Sequence, residues 1–197
     1  MNIVFDIGNV LIRWDAHRAF LPVLGTRGTV DPFLSRIGFS ALNLRADAGE
    51  TFADLAAEIA DPDDRALFES YLPNYAQTLP EAIEGTWALL DRLRARGHAI
   101  HAITNWSAET WPVGLATHPR LATAFDVTVV SGIERVLKPE PRIFALLCGR
   151  AGVAPGDCLF IDDSDRNVEG ARAFGMDALP FTTSAALDHA LAARRLL

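Results

Sequence analysis

Met1-Asn-Ile-Val-Phe-Asp6-Ile-Gly-Asn-Val-Leu-Ile-Arg-Trp-Asp15 forms the start of the chain. Asn2 to Phe5 is a short apolar, partly β-branched run that an acidic residue ends. Gly8 and Asn9 then break the pattern, and Val10-Leu11-Ile12 resumes it. A short apolar run predicts a buried strand of a parallel sheet. An Asp at the carboxyl end of such a strand, just before a turn, stands where open α/β sheets place their ligand crevice. Asp is also common as a plain turn residue. What the rest of the chain brings to the same edge decides between the two readings.

Composition narrows the classes. A chain of 197 residues suffices for one domain, or for one domain with a smaller insertion. Hydrophobic residues make up 50% and charged residues 22%, ordinary for a globular protein. The net charge of -7 argues against nucleic acid or an acidic membrane as partner, because phosphate backbones demand clustered Lys and Arg. One small phosphate held locally stays possible. Cys148 and Cys158 have no metal-type spacing and read as small buried hydrophobes. The apolar run after Met1 is too short for a secretory signal, and no stretch is long enough to span a bilayer. These features point to a cytoplasmic, reducing setting; nothing in the sequence sets an oligomeric state.

Residues 15–85 read as helical throughout. Ala41 to Ala46 suits a short helix, which Asp47-Ala48-Gly49-Glu50 breaks. Thr51 can cap the next helix, with Asp54 placed to return the bond, and Phe52, Leu55, Ala56 and Ile59 share one face. Asp61-Pro62-Asp63-Asp64 starts another helix carrying Leu67, Phe68 and Tyr71. From Pro80 helix and strand alternate. Ile83, Trp87, Leu90 and Leu93 form an apolar stripe that ends near Gly97. Strands are expected at 98–103, closed by Thr104-Asn105, at 125–130, ending at Ser131-Gly132, and at 158–161, closed by Asp162-Asp163. A helix over 141–151 has Pro at its start and Gly152 at its end; Val168, Ala171 and Phe174 mark another. A fifth strand at 178–181 belongs on an edge, because Pro180 is awkward in an inner ladder. The alternation implies right-handed crossovers and a three-layer, Rossmann-like parallel sheet with helices on both faces. The α/β core is then 1–14 and 86–197, with a small helical domain, 15–85, inserted in it.

Polar residues recur at one structural address. Asp6, Thr104-Asn105 and Asp162-Asp163 each close a predicted strand, and Lys138 follows the third strand after a short loop. Those ends share one edge of a parallel sheet. Carboxylates, a hydroxyl, an amide and an ammonium converging there are the set that metal-assisted phosphoryl transfer uses.

Phe5-Asp6-Ile7-Gly8-Asn9-Val10-Leu11, Ile103-Thr104-Asn105-Trp106-Ser107, Leu137-Lys138-Pro139-Glu140 and Phe160-Ile161-Asp162-Asp163 with Asn167 resemble the four ordered motifs of the haloacid dehalogenase-like hydrolase superfamily. The likeness spans almost the whole chain, and the helical segment sits where that superfamily carries a C1-type cap. The Asp-x-Gly-Asn-Val start is similar to that of a bacterial branch that includes sugar-phosphate phosphatases. The resemblance implies a Mg²⁺-dependent phosphatase acting on a small phosphorylated metabolite, a sugar phosphate by that branch. Asp6 would be the nucleophile and become an aspartyl-phosphate. Thr104 would bond a phosphoryl oxygen, with the Asn105 backbone amide as a second donor, and Lys138 would neutralise the non-bridging oxygens. Mg²⁺ would be held by Asp6, the Gly8 carbonyl and Asp163, all hard oxygen ligands. Asp162 would be a direct ligand or an orienter of its hydration sphere, and Asn167 would orient the same loop.

Gly8 departs from the pattern. Most phosphatases of the superfamily carry a second Asp there as general acid and base, catalysis worth about 10²–10⁴-fold. Three outcomes are open. The enzyme prefers leaving groups that need little protonation, such as an anomeric 1-phosphate or an acyl phosphate, with rates falling steeply as the leaving group becomes more basic. Another group supplies the proton, for which Asp47, beside flexible Gly49, is the candidate. Or the activity is weak or absent. We take the first as the expectation.

Trp106 and Trp111 are close enough to Thr104 to wall the substrate entrance, or else to pack in the core. Arg45 reads as a solvated surface residue, Ser107 as a helix cap, and Asp15 as a cap of the first inserted helix. The five histidines read as surface or packed residues. One rival reading is a metal-free 2-haloacid dehalogenase in which Asp6 attacks carbon, although those enzymes typically carry an aromatic residue where Gly8 stands. Another is a catalytically silent protein that binds a phosphorylated ligand. In the enzymatic readings the helical segment must open and close over the crevice to admit substrate and exclude water.

Overall fold

The computed structural model describes residues 1–197. β1 (Asn2–Phe5) leads into six inserted helices: α1 (His17–Leu24), α2 (Arg27–Arg36), α3 (Phe39–Asp47), α4 (Phe52–Ala57), α5 (Pro62–Glu69) and α6 (Tyr71–Asn74). A 3₁₀ turn, Tyr75–Thr78, closes the insertion. The chain continues through α7 (Glu84–Ala95), β2 (Ala99–Thr104), α8 (Trp111–Thr117), β3 (Val127–Val130), α9 (Ser131–Glu134) and α10 (Pro141–Ala151). It ends with β4 (Cys158–Asp162), α11 (Asp165–Phe174), β5 (Asp177–Pro180) and α12 (Ser184–Ala193). The five strands pair in parallel in the order β3-β2-β1-β4-β5. No helix is long and apolar enough to cross a membrane.

Register places the chemistry. Phe5 stands opposite Ala102 on β2 and Ile161 on β4, so the next residues, Asp6, Ile103 and Asp162, lie level at one edge. Along β1 successive side chains face opposite ways. Ile3 and Phe5 join a core that runs through Trp87, Leu90 and Leu191, while Val4 joins Ile103, Phe144, Phe160 and Val168 on the other face. Both layers are dry, as a two-sided parallel sheet requires. β5 lies on the edge, with Pro180 as its last residue. Cys148 and Cys158 are buried and unpaired to each other by any disulfide.

The insertion is built on aromatic rings. Phe20 sits 5.1 Å from Phe33, 5.8 Å from Phe39 and 5.6 Å from Tyr71, ring centroid to centroid. Tyr75 passes the contact on to Trp106 at 6.1 Å, so the insertion and the first sheet face share one continuous apolar core. Capping fixes where its helices begin: Asp61 accepts the Asp63 and Asp64 N–H groups, and Thr51 accepts that of Asp54.

Val10-Leu11-Ile12 carries the apolar pattern on through a turn. The N–H groups of all three donate to the Ile7 carbonyl, at 3.3, 2.9 and 3.0 Å. Asn9 turns the chain there with φ of 56°, a conformation that Asn tolerates better than most residues. Some local expectations change. Asp54 takes the Thr51 hydroxyl at 2.6 Å instead of returning a bond to its backbone. Leu67 and Phe68 lie on α5 but Tyr71 on α6, because the chain breaks at Ser70. β3 starts at Val127, two residues later than expected, since Asp126 turns its carboxylate back to the Ile100 N–H at 2.9 Å.

Gly170 on α11 lets the loop after Lys138 seat closely. A Cβ there would fall 2.3 Å from the Pro139 Cβ and 3.1 Å from its carbonyl oxygen. Gly170→Val should therefore cost about 1–3 kcal/mol by overpacking, or roughly 2–12 °C in Tm for a chain of this size. A thermal melt checks it; an unchanged Tm would mean that the loop is not seated on the helix.

Candidate active site

Asp6 follows β1 directly. Its N–H donates to the Ile161 carbonyl at 2.8 Å, extending the ladder by one residue. Its Oδ1 accepts the Ile7 N–H at 2.7 Å and lies 2.8 Å from Lys138 Nζ. No protein donor reaches Oδ2 in this arrangement. The Lys138 ammonium also lies 2.7 Å from Asp162 Oδ2, and its side chain is only 1% exposed. A side chain so deep is aimed by its backbone, and Asn105 holds that backbone from both sides. Asn105 Oδ1 accepts the Lys138 N–H at 2.9 Å, and its Nδ2 donates to the Lys138 carbonyl at 3.3 Å. Asp162 ends β4 fully buried. Beyond Lys138, it accepts the Ser164 N–H at 2.8 Å and Asn167 Nδ2 at 3.0 and 3.2 Å.

One carboxylate oxygen from each of Asp6, Asp162 and Asp163 lies within 4.8 Å of the others. Three negative groups against one ammonium leave a formal charge of −2 at the sheet edge. Burial pushes the Asp6 carboxyl up to about 7; Lys138 pulls it back, and Asp162 and Asp163 push it further. Burial, then Asp162, likewise raise Asp163. Burial alone would lower Lys138, but Asp162 and Asp6 hold it above its ordinary value. Converging hard oxygens with two uncompensated charges fit a divalent cation such as Mg²⁺.

A cavity of about 150 Å³ opens above this cluster. Asp6, Gly8 and Asp163 form its base, Asn105 and Trp106 line it from the end of β2, and Asn43, Asp47 and Tyr75 line it from the insertion. Thr104 and Lys138 lie beneath its floor, 1% and 4% exposed, and are absent from the lining. Asp47, the last residue of α3, accepts Asn43 Nδ2 at 3.1 Å through Oδ2, and Asn43 Oδ1 accepts the Tyr71 hydroxyl at 3.4 Å. Trp106 is buried, and its indole Nε1–H has no acceptor in the protein.

Of the other residues weighed from sequence, Arg45 pairs with Glu50 and Glu58 at the surface. Ser107 Oγ accepts the Glu109 N–H at 3.2 Å within a turn, and the helix begins only at Trp111. Trp111 packs edge-on to Trp106 at 5.2 Å. Asp15 accepts the His17 N–H at the start of α1. Sequence reasoning missed Trp14, Asn43, Tyr75 and Thr110 in the cavity wall and Ser131 behind it. Only Asn43 carried a usable signal, standing four residues before Asp47 on one helix face.

An acidic cluster and a buried ammonium at the carboxyl edge of a parallel sheet define an α/β protein with a polar crevice under a helical insertion. The chain belongs to the haloacid dehalogenase-like hydrolases, whose family model matches residues 1–175. It is 29% identical over 181 residues to fructose-1-phosphate phosphatase YqaB of Escherichia coli, covering 90% of this chain and 94% of that protein. It is 34% identical over 105 residues to flavin mononucleotide hydrolase 1 of Arabidopsis thaliana, where the match spans 53% of this chain and 42% of that protein. Among solved structures, HAD family enzyme BT-2542 of Bacteroides thetaiotaomicron superposes with a TM-score of 0.76 at 21% identity, covering 96% of this chain and 97% of that one. The same enzyme has been solved as a magnesium complex.

The buried charges carry a stability consequence. In metal-free protein burial pushes the Asp6 carboxyl up from its ordinary 3.8 to about 7. The folded state then binds more protons than the unfolded one between those values, so this group's contribution to stability falls as pH rises through that window. With EDTA present, Asp6→Asn should raise Tm at pH 8 and change it little at pH 4. Thermal melts at both values check this; a lower Tm for the variant at pH 8 would contradict it.

Proposed function

We propose that this protein is a Mg²⁺-dependent phosphatase that hydrolyses a small phosphorylated metabolite, a sugar phosphate by preference, through an aspartyl-phosphate on Asp6. The observation that carries the reading is the Lys138 ammonium held between Asp6 and Asp162, with two negative charges left over. A dehalogenase that uses no metal has no need of that excess. The cavity of about 150 Å³ supports a small substrate, since a pocket of that volume is benzene-sized. It falls well short of the roughly 300–1,000 Å³ typical for drug-sized ligands, which argues against a flavin nucleotide enclosed there. The near full-length likeness to a fructose-1-phosphate phosphatase points the same way.

In this reading Asp6 Oδ2 attacks phosphorus while Ile7 N–H and Lys138 hold Oδ1 and so fix the angle of attack. Lys138 offsets charge on the transferred group. Thr104 and the Asn105 backbone, at the end of β2, supply phosphoryl-oxygen donors. Asp6, Asp163 and the Gly8 carbonyl would hold Mg²⁺, which when bound neutralises phosphoryl oxygens. Asp162 is assigned to positioning, because its oxygens are committed to Lys138, Ser164 and Asn167. The Trp106 Nε1–H, buried without an acceptor, is assigned to a substrate oxygen. Residues 15–85 serve as a C1-type cap that opens to admit substrate and closes to exclude water.

Assays over sugar phosphates, nucleotides and acyl phosphates test this. Turnover should require Mg²⁺, vanish with EDTA, and fall by at least about 10³-fold in Asp6→Asn, the scale of losing a nucleophile. Metal-independent halide release from a 2-haloacid, or ligand binding without turnover, would overturn it. Trp106→Phe keeps an aromatic ring but removes the pyrrole half of the indole with its N–H donor, so kcat/KM should drop about tenfold or more, the scale of one buried hydrogen bond; an unchanged value would remove Trp106 from the substrate site.

A further inference from the structure

We propose that Asp47, carried in from the helical insertion, is the general acid and base of the reaction, protonating the leaving oxygen and then activating water. The inference rests on the phosphatase reading above and extends it to a residue outside the sheet-edge cluster. Cleaving an alkyl phosphate expels an alkoxide, which must be protonated as the bond breaks. The carboxyl groups that line the cavity are those of Asp6, Asp163 and Asp47. Asp6 is spent as the nucleophile and Asp163 stands in the acidic cluster. Of these three carboxyls only that of Asp47 comes from the insertion, and the leaving group must extend upward from the sheet edge, toward it.

The structure holds this carboxyl for a purpose. Asn43 Nδ2 donates to Oδ2 at 3.1 Å, and Asp47 stands in the cavity wall. Behind it, Ser131 Oγ donates to the Asp47 carbonyl at 2.6 Å, so the core fixes where this loop sits. Next to it Gly49, at φ of 101°, approaches so closely that a Cβ would lie 3.0 Å from the Gly132 carbonyl oxygen. Burial pushes the Asp47 carboxyl up to about 7; a hydrogen bond from the Ser107 backbone and the Lys138 charge pull it down, and Asp6 pushes it up. Such a group can give a proton and take it back near neutrality. Gly8, by contrast, offers no proton and leaves room: a Cβ added there meets nothing within 4 Å.

The steps balance. Asp6 Oδ2 forms a bond to phosphorus while the bond from phosphorus to the leaving oxygen breaks, its electron pair staying on that oxygen. The Asp47 proton passes to the same oxygen, giving a neutral alcohol, an aspartyl-phosphate and an Asp47 carboxylate. Asp47 then takes a proton from water as the water oxygen bonds to phosphorus. The bond to Asp6 breaks with its pair returning to the carboxylate, inorganic phosphate leaves, and Asp47 is protonated again. A proton supplied by Asp47 is the alternative to the expectation that Gly8 restricts the enzyme to good leaving groups. Wild type should tolerate poor ones.

The test is kcat and KM for wild type, Asp47→Asn and Asp47→Asn with Gly8→Asp, over esters from dinitrophenyl phosphate to simple alkyl phosphates with Mg²⁺. Asp47→Asn is isosteric and leaves the backbone bond to Ser131 in place. It should lose about 10²–10⁴-fold in kcat on alkyl phosphates and little on dinitrophenyl phosphate, turning a shallow leaving-group dependence steep. Gly8→Asp in that background should restore alkyl turnover in part. A loss equal across all esters, a change confined to KM, or no change overturns the role of Asp47 while the phosphatase reading stands. No Mg²⁺-dependent turnover by wild type on any ester overturns both.

Discussion

A single ammonium is held in a place where water cannot reach it. Burying an unpaired charge costs several kcal/mol, and Lys138 is set against Asp6 and Asp162, at 2.8 and 2.7 Å. Those two carboxylates can be there because β1 and β4 are neighbours in register. The lysine can be there because Asn105, at the end of β2, clamps its backbone and Gly170 gives its loop room. Three strands thus meet in one contact. Adding Asp163 to the same corner leaves the formal charge unbalanced by two, an excess that a divalent cation would offset.

The insertion is tied to this corner at a few definite points. Ser131 accepts the Trp106 N–H at 2.9 Å and donates to the Asp47 carbonyl, linking the end of β2, the start of α9 and the end of α3. Glu109 accepts the Phe52 N–H at 2.6 Å at the start of α4. The Tyr75–Trp106 contact closes the apolar side. These ties surround the cavity, so the forces that hold the insertion down also place the Asp47 carboxyl in its wall.

Much of this was legible in the chain. The alternation after Pro80 gave the layered sheet, Pro180 its edge strand, and the polar residues at strand ends the reactive corner, because period and strand-end position are local properties. Asp47 was readable as a candidate only because Gly8 left a need unmet. The side-chain role of Asn105, the Asn43–Tyr71 support of Asp47 and the stranded Trp106 donor were not legible. Each depends on segments about thirty or more residues apart meeting, or on a packing partner that sequence cannot supply.

The most direct measurement of the central claim is acid quench of the enzyme during turnover of a good phosphate ester with Mg²⁺, followed by peptide mass mapping. A phosphoryl adduct on the peptide containing Asp6, labile to hydroxylamine and formed as fast as turnover, is the result this account predicts. Turnover without an adduct, or an adduct on any other residue, would contradict it.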